Sequence, residues 1–156
     1  MIKISIPGFG DLELEHLVMD YNGTMACDGV LFNGVKELVE ELSRDLKIHV
    51  ITADTFGKAD SQLKDLPLKL TIMPKENQDK GKLEYIENLG SDSCICIGNG
   101  RNDALMLEKA KIGIALLQDE GASVITVTSA DILCRNIQDA LELFIKTGRL
   151  VASLRS

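Results

Sequence analysis

Three short segments carry the groups that could do chemistry, and each directly follows an apolar run. Asp20 ends Leu17-Val18-Met19, Thr52-Ala53-Asp54 follows Val50-Ile51, and Gly98-Asn99-Gly100-Arg101-Asn102-Asp103 follows Cys94-Ile95-Cys96-Ile97. Together with Lys80 they supply a carboxylate, a hydroxyl, an ammonium and a second carboxylate. A carboxylate such as Asp20 can attack phosphorus and form an aspartyl-phosphate. A phosphoryl dianion repels that carboxylate, so a cation must sit between them. Mg²⁺ suits the task because it takes oxygen ligands, usually one or two carboxylates with water and substrate; Asp20 and Asp103 fit it. Thr52 and Lys80 can hold the remaining phosphoryl oxygens. Plainer roles stand beside these: Asp20 as a turn former, Thr52 as a strand-end hydroxyl, Asp103 with Asn102 as a helix N-cap.

The elements around these segments alternate. Residues 2–6 and 12–19, separated by the turn-forming Pro7-Gly8-Phe9-Gly10-Asp11, predict an opening hairpin, with residues 17–19 a strand buried on both faces. Residues 24–33, broken at Asp28-Gly29, predict a small hairpin. Val35, Leu38, Val39 and Leu42 fall at helical spacing within residues 34–45. A strand over 47–51, a helix over about 57–65, a strand over about 68–73 and a helix over 78–89 follow. Strands over 94–97, 112–116 and 130–133, a helix from Asp103 and an apolar-periodic tail over 136–154 complete the chain. This pattern predicts an α/β fold with a mostly parallel sheet covered by helices on both faces. Ligands in such sheets bind beyond the carboxyl ends of the strands, which is where the chemical groups lie.

At these positions the chain resembles the haloacid dehalogenase (HAD) superfamily, and within it soluble proteins like the phosphorylation domain of P-type ATPases. Asp20-Tyr21-Asn22-Gly23-Thr24 resembles the D-x-D-G-T signature and, more closely, the D-K-T-G-T of the ATPases. Val50 through Asp54 resembles the second motif, Pro74 through Lys80 the proline and lysine of the third, and Gly98 through Ala104 the G-D-G-x-N-D-A of the fourth. The resemblance implies a Rossmann-like three-layer α/β/α sandwich and a phosphatase acting through Asp20. It implies a phosphate site of Asp20, Gly23, Thr52, Ala53 and Lys80, and a Mg²⁺ site of Asp20, Asn22, Asn99 and Asp103. Lys80 is preferred to Lys75 and Lys82 because Asp79-Lys80 opens the amphipathic helix, as the motif lysine does in relatives; Lys82 is assigned to a solvated face.

Two positions depart from the motifs. Asn22 stands where relatives carry the Asp that protonates the leaving group and activates water, and an amide cannot do that work. Its backbone carbonyl can still bind Mg²⁺. Asn99 replaces a metal-binding Asp, and Asp54 is a candidate to add charge nearby. The stretches from Thr24 to Gly34 and from Thr52 to Lys80 are too short for an inserted cap, so residues 1–156 are expected to form one capless domain with an open site.

Net charge is −7 and no basic run appears, which argues against a nucleic-acid partner. No signal segment or long apolar run appears, so a cytoplasmic protein with no membrane association is expected. The expected substrate is a phosphorylated small molecule or a phosphoprotein. A second copy of the chain is expected to cover the hairpin near Ala26–Phe32. Cys94 and Cys96 read as core residues, as do Cys27 and Cys134, and His16 and His49 as structural. Two other classes compete with the enzyme. One is a non-catalytic phosphate- or partner-binding module on the same scaffold. The other, a response-regulator receiver, places its acids on different strands and is set aside.

Overall fold

The computed structural model describes residues 1–53 and 57–156. The chain opens with the expected hairpin, β1 (Ile2–Ile6) antiparallel to β2 (Gly10–Leu14). The run over 12–19 then breaks at Glu15, because β3 (His16–Asp20) leaves the hairpin and enters a different sheet. A second hairpin follows, β4 (Ala26–Cys27) with β5 (Val30–Leu31), turning at Asp28 and Gly29, which both have positive φ. Next come α1 (Val35–Leu42), β6 (Lys47–Thr52), α2 (Lys58–Leu63), β7 (Leu68–Ile72), α3 (Gln78–Leu89) and β8 (Cys94–Gly98). The chain ends with α4 (Ala104–Lys109), β9 (Ile112–Leu116), α5 (Val124–Ser129), β10 (Ile132–Cys134), α6 (Ile137–Ile145) and α7 (Thr147–Leu154).

Six strands form one parallel sheet in the order β10-β9-β8-β3-β6-β7. Its central strands are buried on both faces, and successive side chains feed two separate cores, as the period-2 geometry of a strand requires. Leu17, Met19, Ile48, Val50, Ile95, Ile97, Ile112 and Ile114 point to one core, shared with residues of α1, α2, α6, α7 and the opening hairpin. Val18, Ile51, Cys94, Cys96 and Ala115 point to the other, with residues of α3 and α4 and with Val127 of α5 packed against it. The result is the expected Rossmann-like α/β/α layering. Cys94 and Cys96 are buried as expected; Cys27 and Cys134 are half-buried.

Several boundaries differ from the sequence expectations. The tail over 136–154 is two helices, because Lys146 (φ −105°, ψ 65°) breaks the helical path. The Asn136 side chain caps α6 by accepting from the Asp139 amide at 2.8 Å. Helix α5 was not expected, since Val124-Ile125-Thr126-Val127-Thr128-Ser129 is rich in β-branched residues that disfavour helix. Among the described residues, no helix is long and apolar enough to cross a membrane.

The strand order prepares a site. From β3 the chain proceeds outward through β6 and β7, then returns to β8 on the other side of β3. The connections leaving β3 and β8 therefore diverge at neighbouring strand ends, and a crevice opens where the order reverses.

Candidate active site

Asp20 is the last residue of β3, at this reversal. The chain turns sharply after it. The amides of Thr24, Met25 and Ala26 all donate to the Tyr21 carbonyl (3.2, 2.9 and 3.0 Å), and the Gly23 amide donates to the Ala26 carbonyl (2.7 Å). Gly23 has φ +79°, and a Cβ there would lie 2.5 Å from Glu120 Oε2 and 2.6 Å from Asn99 Oδ1. Both the turn and the close approach require glycine. Gln118 clamps the turn from the loop after β9, donating to the carbonyls of Gly23 (2.8 Å) and Thr24 (2.6 Å).

A buried ion cluster lies beneath Asp20. Lys82 Nζ is 2.7 Å from Asp20 Oδ1 and 2.6 Å from Asp103 Oδ1, with the lysine and Asp103 essentially inaccessible to solvent. Asp103 Oδ2 accepts from the amides of Asn99 (3.0 Å) and Gly100 (2.9 Å). Burial works against the Lys82 charge, but Asp20 and Asp103 outweigh it and hold the ammonium above its usual range. Burial, and next the Asp103 charge, push the Asp20 carboxyl up to about 7, against the opposing pull of Lys82. Asp20 is thus short of positive charge despite its lysine.

Above the cluster is a cleft of about 350 Å³ lined by Asp20, Asn22, Thr52 and Ala53, with Lys75, Gln78, Asn99, Gly100, Asn102 and Glu120 on its other walls. Thr52, the last residue of β6, is almost fully buried. Asn102 Nδ2 donates to Gln78 Oε1 at 2.6 Å, joining the loop after β8 to the start of α3. Asn99 Nδ2 donates to the Gly121 carbonyl (2.9 Å), and its Oδ1 is 3.5 Å from Thr24 Oγ1.

The structure thus gathers Asp20, Asn22, Gly23, Thr52, Ala53 and Asn99 in one place. It corrects two assignments. The lysine at Asp20 is Lys82 and not Lys80: Lys82 and Ile86, one turn apart, form the buried stripe of α3. Lys80 is exposed, beside a separate hollow that includes Pro74, Glu76 and Glu84. Asp103, expected as a metal ligand, is absent from the cleft's walls; its oxygens are occupied by Lys82 and two backbone amides. Asp54 lies outside the described residues. Gln78 and Glu120 were not singled out from sequence, Lys75 stood only as an alternative to Lys80, and Asn102 only as a helix cap beside Asp103. Glu120 lies on a loop just beyond a strand end, the one signal that pointed toward it.

Both histidines lie away from the cleft. His16 Nδ1 is 3.1 Å from His49 Nε2, and His49 Nδ1 is 2.9 Å from the Tyr85 hydroxyl. This buried chain ties β3 and β6 to α3 one turn past Lys82, in keeping with the structural role expected of both. Burial, then His16, Lys69 and Lys47, pull His49 down to about 4.

Residues 33–145 match the family described as haloacid dehalogenase-like hydrolase. A probable copper-exporting P-type ATPase of Archaeoglobus fulgidus is 31% identical over 132 residues, covering 80% of this chain and 16% of the ATPase. A soluble P-type ATPase-like phosphatase of Methanocaldococcus jannaschii is 25% identical over 141 residues, covering 87% of this chain and 51% of that protein. An uncharacterized protein of M. jannaschii is 42% identical over 78 residues, covering 47% of this chain and 84% of its own length. Among solved structures, the cobalt-bound deoxy-D-mannose-octulosonate 8-phosphate phosphatase of Haemophilus influenzae superposes with a TM-score of 0.71 at 10% identity, covering 92% and 94% of the two chains. A phosphoserine phosphatase gives 0.66 at 14% identity, covering 83% and 98%. At such identities the structural likeness speaks for the fold.

Proposed function

Because the chain belongs to the haloacid dehalogenase-like hydrolases, we propose that it is a Mg²⁺-dependent phosphohydrolase acting through an aspartyl-phosphate on Asp20. The observation that carries this reading is Asp20 at the sheet's reversal, held by the buried Lys82–Asp103 pair and facing a cleft that also holds Thr52 and Ala53. The donor set fits a hard cation. Asp20, Asn22 and Asn99 offer oxygens, and among the described lining residues there is neither a thiol nor an imidazole. Asp20, the Asn22 backbone carbonyl and the Asn99 amide oxygen would hold the ion. Bound there, Mg²⁺ supplies the positive charge that lets a carboxylate approach a phosphate dianion.

In this reading an Asp20 oxygen bonds to phosphorus while the bond to the ester oxygen breaks. Thr52 Oγ1 and the Ala53 amide hold the other phosphoryl oxygens, and Lys82 opposes the burial and the Asp103 charge that favour protonating Asp20. The departing oxygen must take its proton from solvent, because Asn22 has none to give. Water then attacks the phosphoenzyme, releasing phosphate and restoring Asp20. The scaffold is one capless domain over residues 1–156, with α2 and β7 between β6 and α3, and the open cleft suits a phosphorylated small molecule or a phosphoprotein. Asn22 and Asn99 favour a second reading, a phosphate- or partner-binding module without turnover. Hydrolysis of an aryl phosphate with and without Mg²⁺ separates them. The enzyme requires Mg²⁺-dependent turnover that Asp20→Asn abolishes. No turnover, with phosphate still bound, supports the module.

A further inference from the structure

The cleft carries an acid that this chemistry does not use. Asp103 is turned away, and amides stand at 22 and 99, so Asp20 and Glu120 are the carboxylates among the described lining residues. Glu120 Oε2 and the Asn99 side chain crowd the same bare Cα of Gly23, three residues past Asp20. The loop carrying Glu120 is bonded to the site on both sides. Gln118 holds the Gly23 and Thr24 carbonyls. The Gly121 carbonyl receives Asn99 Nδ2, and the Ser123 amide donates to the Asn99 carbonyl at 2.9 Å. Glu120 is therefore positioned by residues that themselves grip the Asp20 and Asn99 loops.

We propose that Glu120 is a ligand, directly or through one water, of the divalent cation held at Asp20, supplying the charge that Asn99 lacks. The inference rests on the reading of Asp20 as a metal-binding nucleophile. Lys82 pairs with both Asp20 and Asp103, so that cluster carries one net negative charge. Glu120 adds a second carboxylate to the cleft's walls, where Lys75 is the one cation among the described lining residues. From the loop after β9, Glu120 reaches the same side of Gly23 as Asn99 at the end of β8. On its far side Glu120 faces the β4–β5 turn, where its carboxylate, Cys27 Sγ and the Asp28 carboxylate lie within 4.8 Å of one another. Those rim groups are the alternative home for an ion attracted by Glu120.

The test uses Mn²⁺ as a paramagnetic probe, its free aquo-ion followed by electron paramagnetic resonance and displaced by Mg²⁺, on the full chain. Glu120→Gln is expected to weaken binding about 10–100-fold. Asp119→Asn, an exposed neighbour on the same loop, controls for long-range charge and is expected to change it less than about twofold. Asp20→Asn is expected to weaken it at least as much as Glu120→Gln. Both exposed-loop variants should melt with wild type. Equal affinities for Glu120→Gln and Asp119→Asn, with binding still dependent on Asp20, overturn the role of Glu120 and leave the metal-binding nucleophile standing. Binding that depends on Glu120 but survives Asp20→Asn overturns the proposal and moves the ion to Cys27 and Asp28. Wild type that binds no Mn²⁺ overturns both.

Discussion

Replacing Lys82 by Met keeps most of the side chain's volume and removes its charge from between two buried carboxylates. The two contacts, at 2.7 and 2.6 Å, each represent a gross attraction of about 6 kcal/mol at an effective dielectric near 20. Most of that is offset by taking the charges out of water. Deletion is costly for a different reason: Asp20 and Asp103 are left facing each other without a cation. Removing one partner of a buried ion pair costs about 3–5 kcal/mol, and Lys82→Met should lose that much in urea unfolding followed by circular dichroism at pH 7. Lys80→Met, on the exposed side of α3, should stay within about 0.5 kcal/mol of wild type. The pH dependence follows from the stranded carboxylates. Asp20 already sits near 7 beside its lysine and rises further without it, so the folded variant keeps a proton that wild type releases above about pH 7, and its deficit should grow as pH rises from 7 toward 9 and level off below 7. Turnover should vanish in Lys82→Met and persist in Lys80→Met. Equal stabilities for the two variants, or a deficit that does not depend on pH, would refute the buried cluster as described.

Two further outcomes are expected. His49 is held near 4 by burial, His16, Lys69 and Lys47, so the unfolded chain binds a proton that the folded chain refuses between about pH 6.5 and 4. The His49 contribution to stability should fall by up to about 3 kcal/mol as pH drops through that window, set against the opposite contribution of the raised Asp20 carboxyl. His49→Gln should flatten that slope in urea melts at pH 7, 5.5 and 4.5, and an unchanged slope contradicts the assignment. For Asn22→Asp, restored acid–base chemistry should raise steady-state turnover by about 10²-fold, most for poor leaving groups. Wild type should show a burst with an aryl phosphate in rapid-quench measurements; equal rates on alkyl phosphates in the two proteins place the acid elsewhere.

Much of the scaffold was legible because buried parallel strands announce themselves. Leu17-Val18-Met19, Val50-Ile51 and Cys94-Ile95-Cys96-Ile97 are apolar on both faces and stop abruptly at Asp20, Thr52 and Gly98-Asn99. The same logic failed where a charged residue is buried. Leu83, Ile86 and Leu89 fall at helical spacing within residues 78–89, and a lysine among them reads as solvated. In the fold Lys82 shares the buried stripe with Ile86, since two carboxylates compensate its charge. Asp103 was legible as a necessary acid but not in its direction. Its role follows from the backbone folding its amides onto Oδ2, which residue type and spacing do not encode. Glu120 reaches the cleft because Gln118, Gly121 and Ser123 lash their loop to two distant turns, a tertiary arrangement that its place beyond a strand end does not by itself encode.

The central claim is that Asp20 takes the phosphoryl group, and covalent labelling tests it most directly. The full chain is incubated with Mg²⁺ and acetyl phosphate, quenched in acid and digested, and the peptides are mapped by mass spectrometry. The account predicts one phosphoryl group on Asp20, stable in acid, removed by hydroxylamine and absent from Asp20→Asn. Phosphate on another residue, or labelling that survives Asp20→Asn, would contradict it.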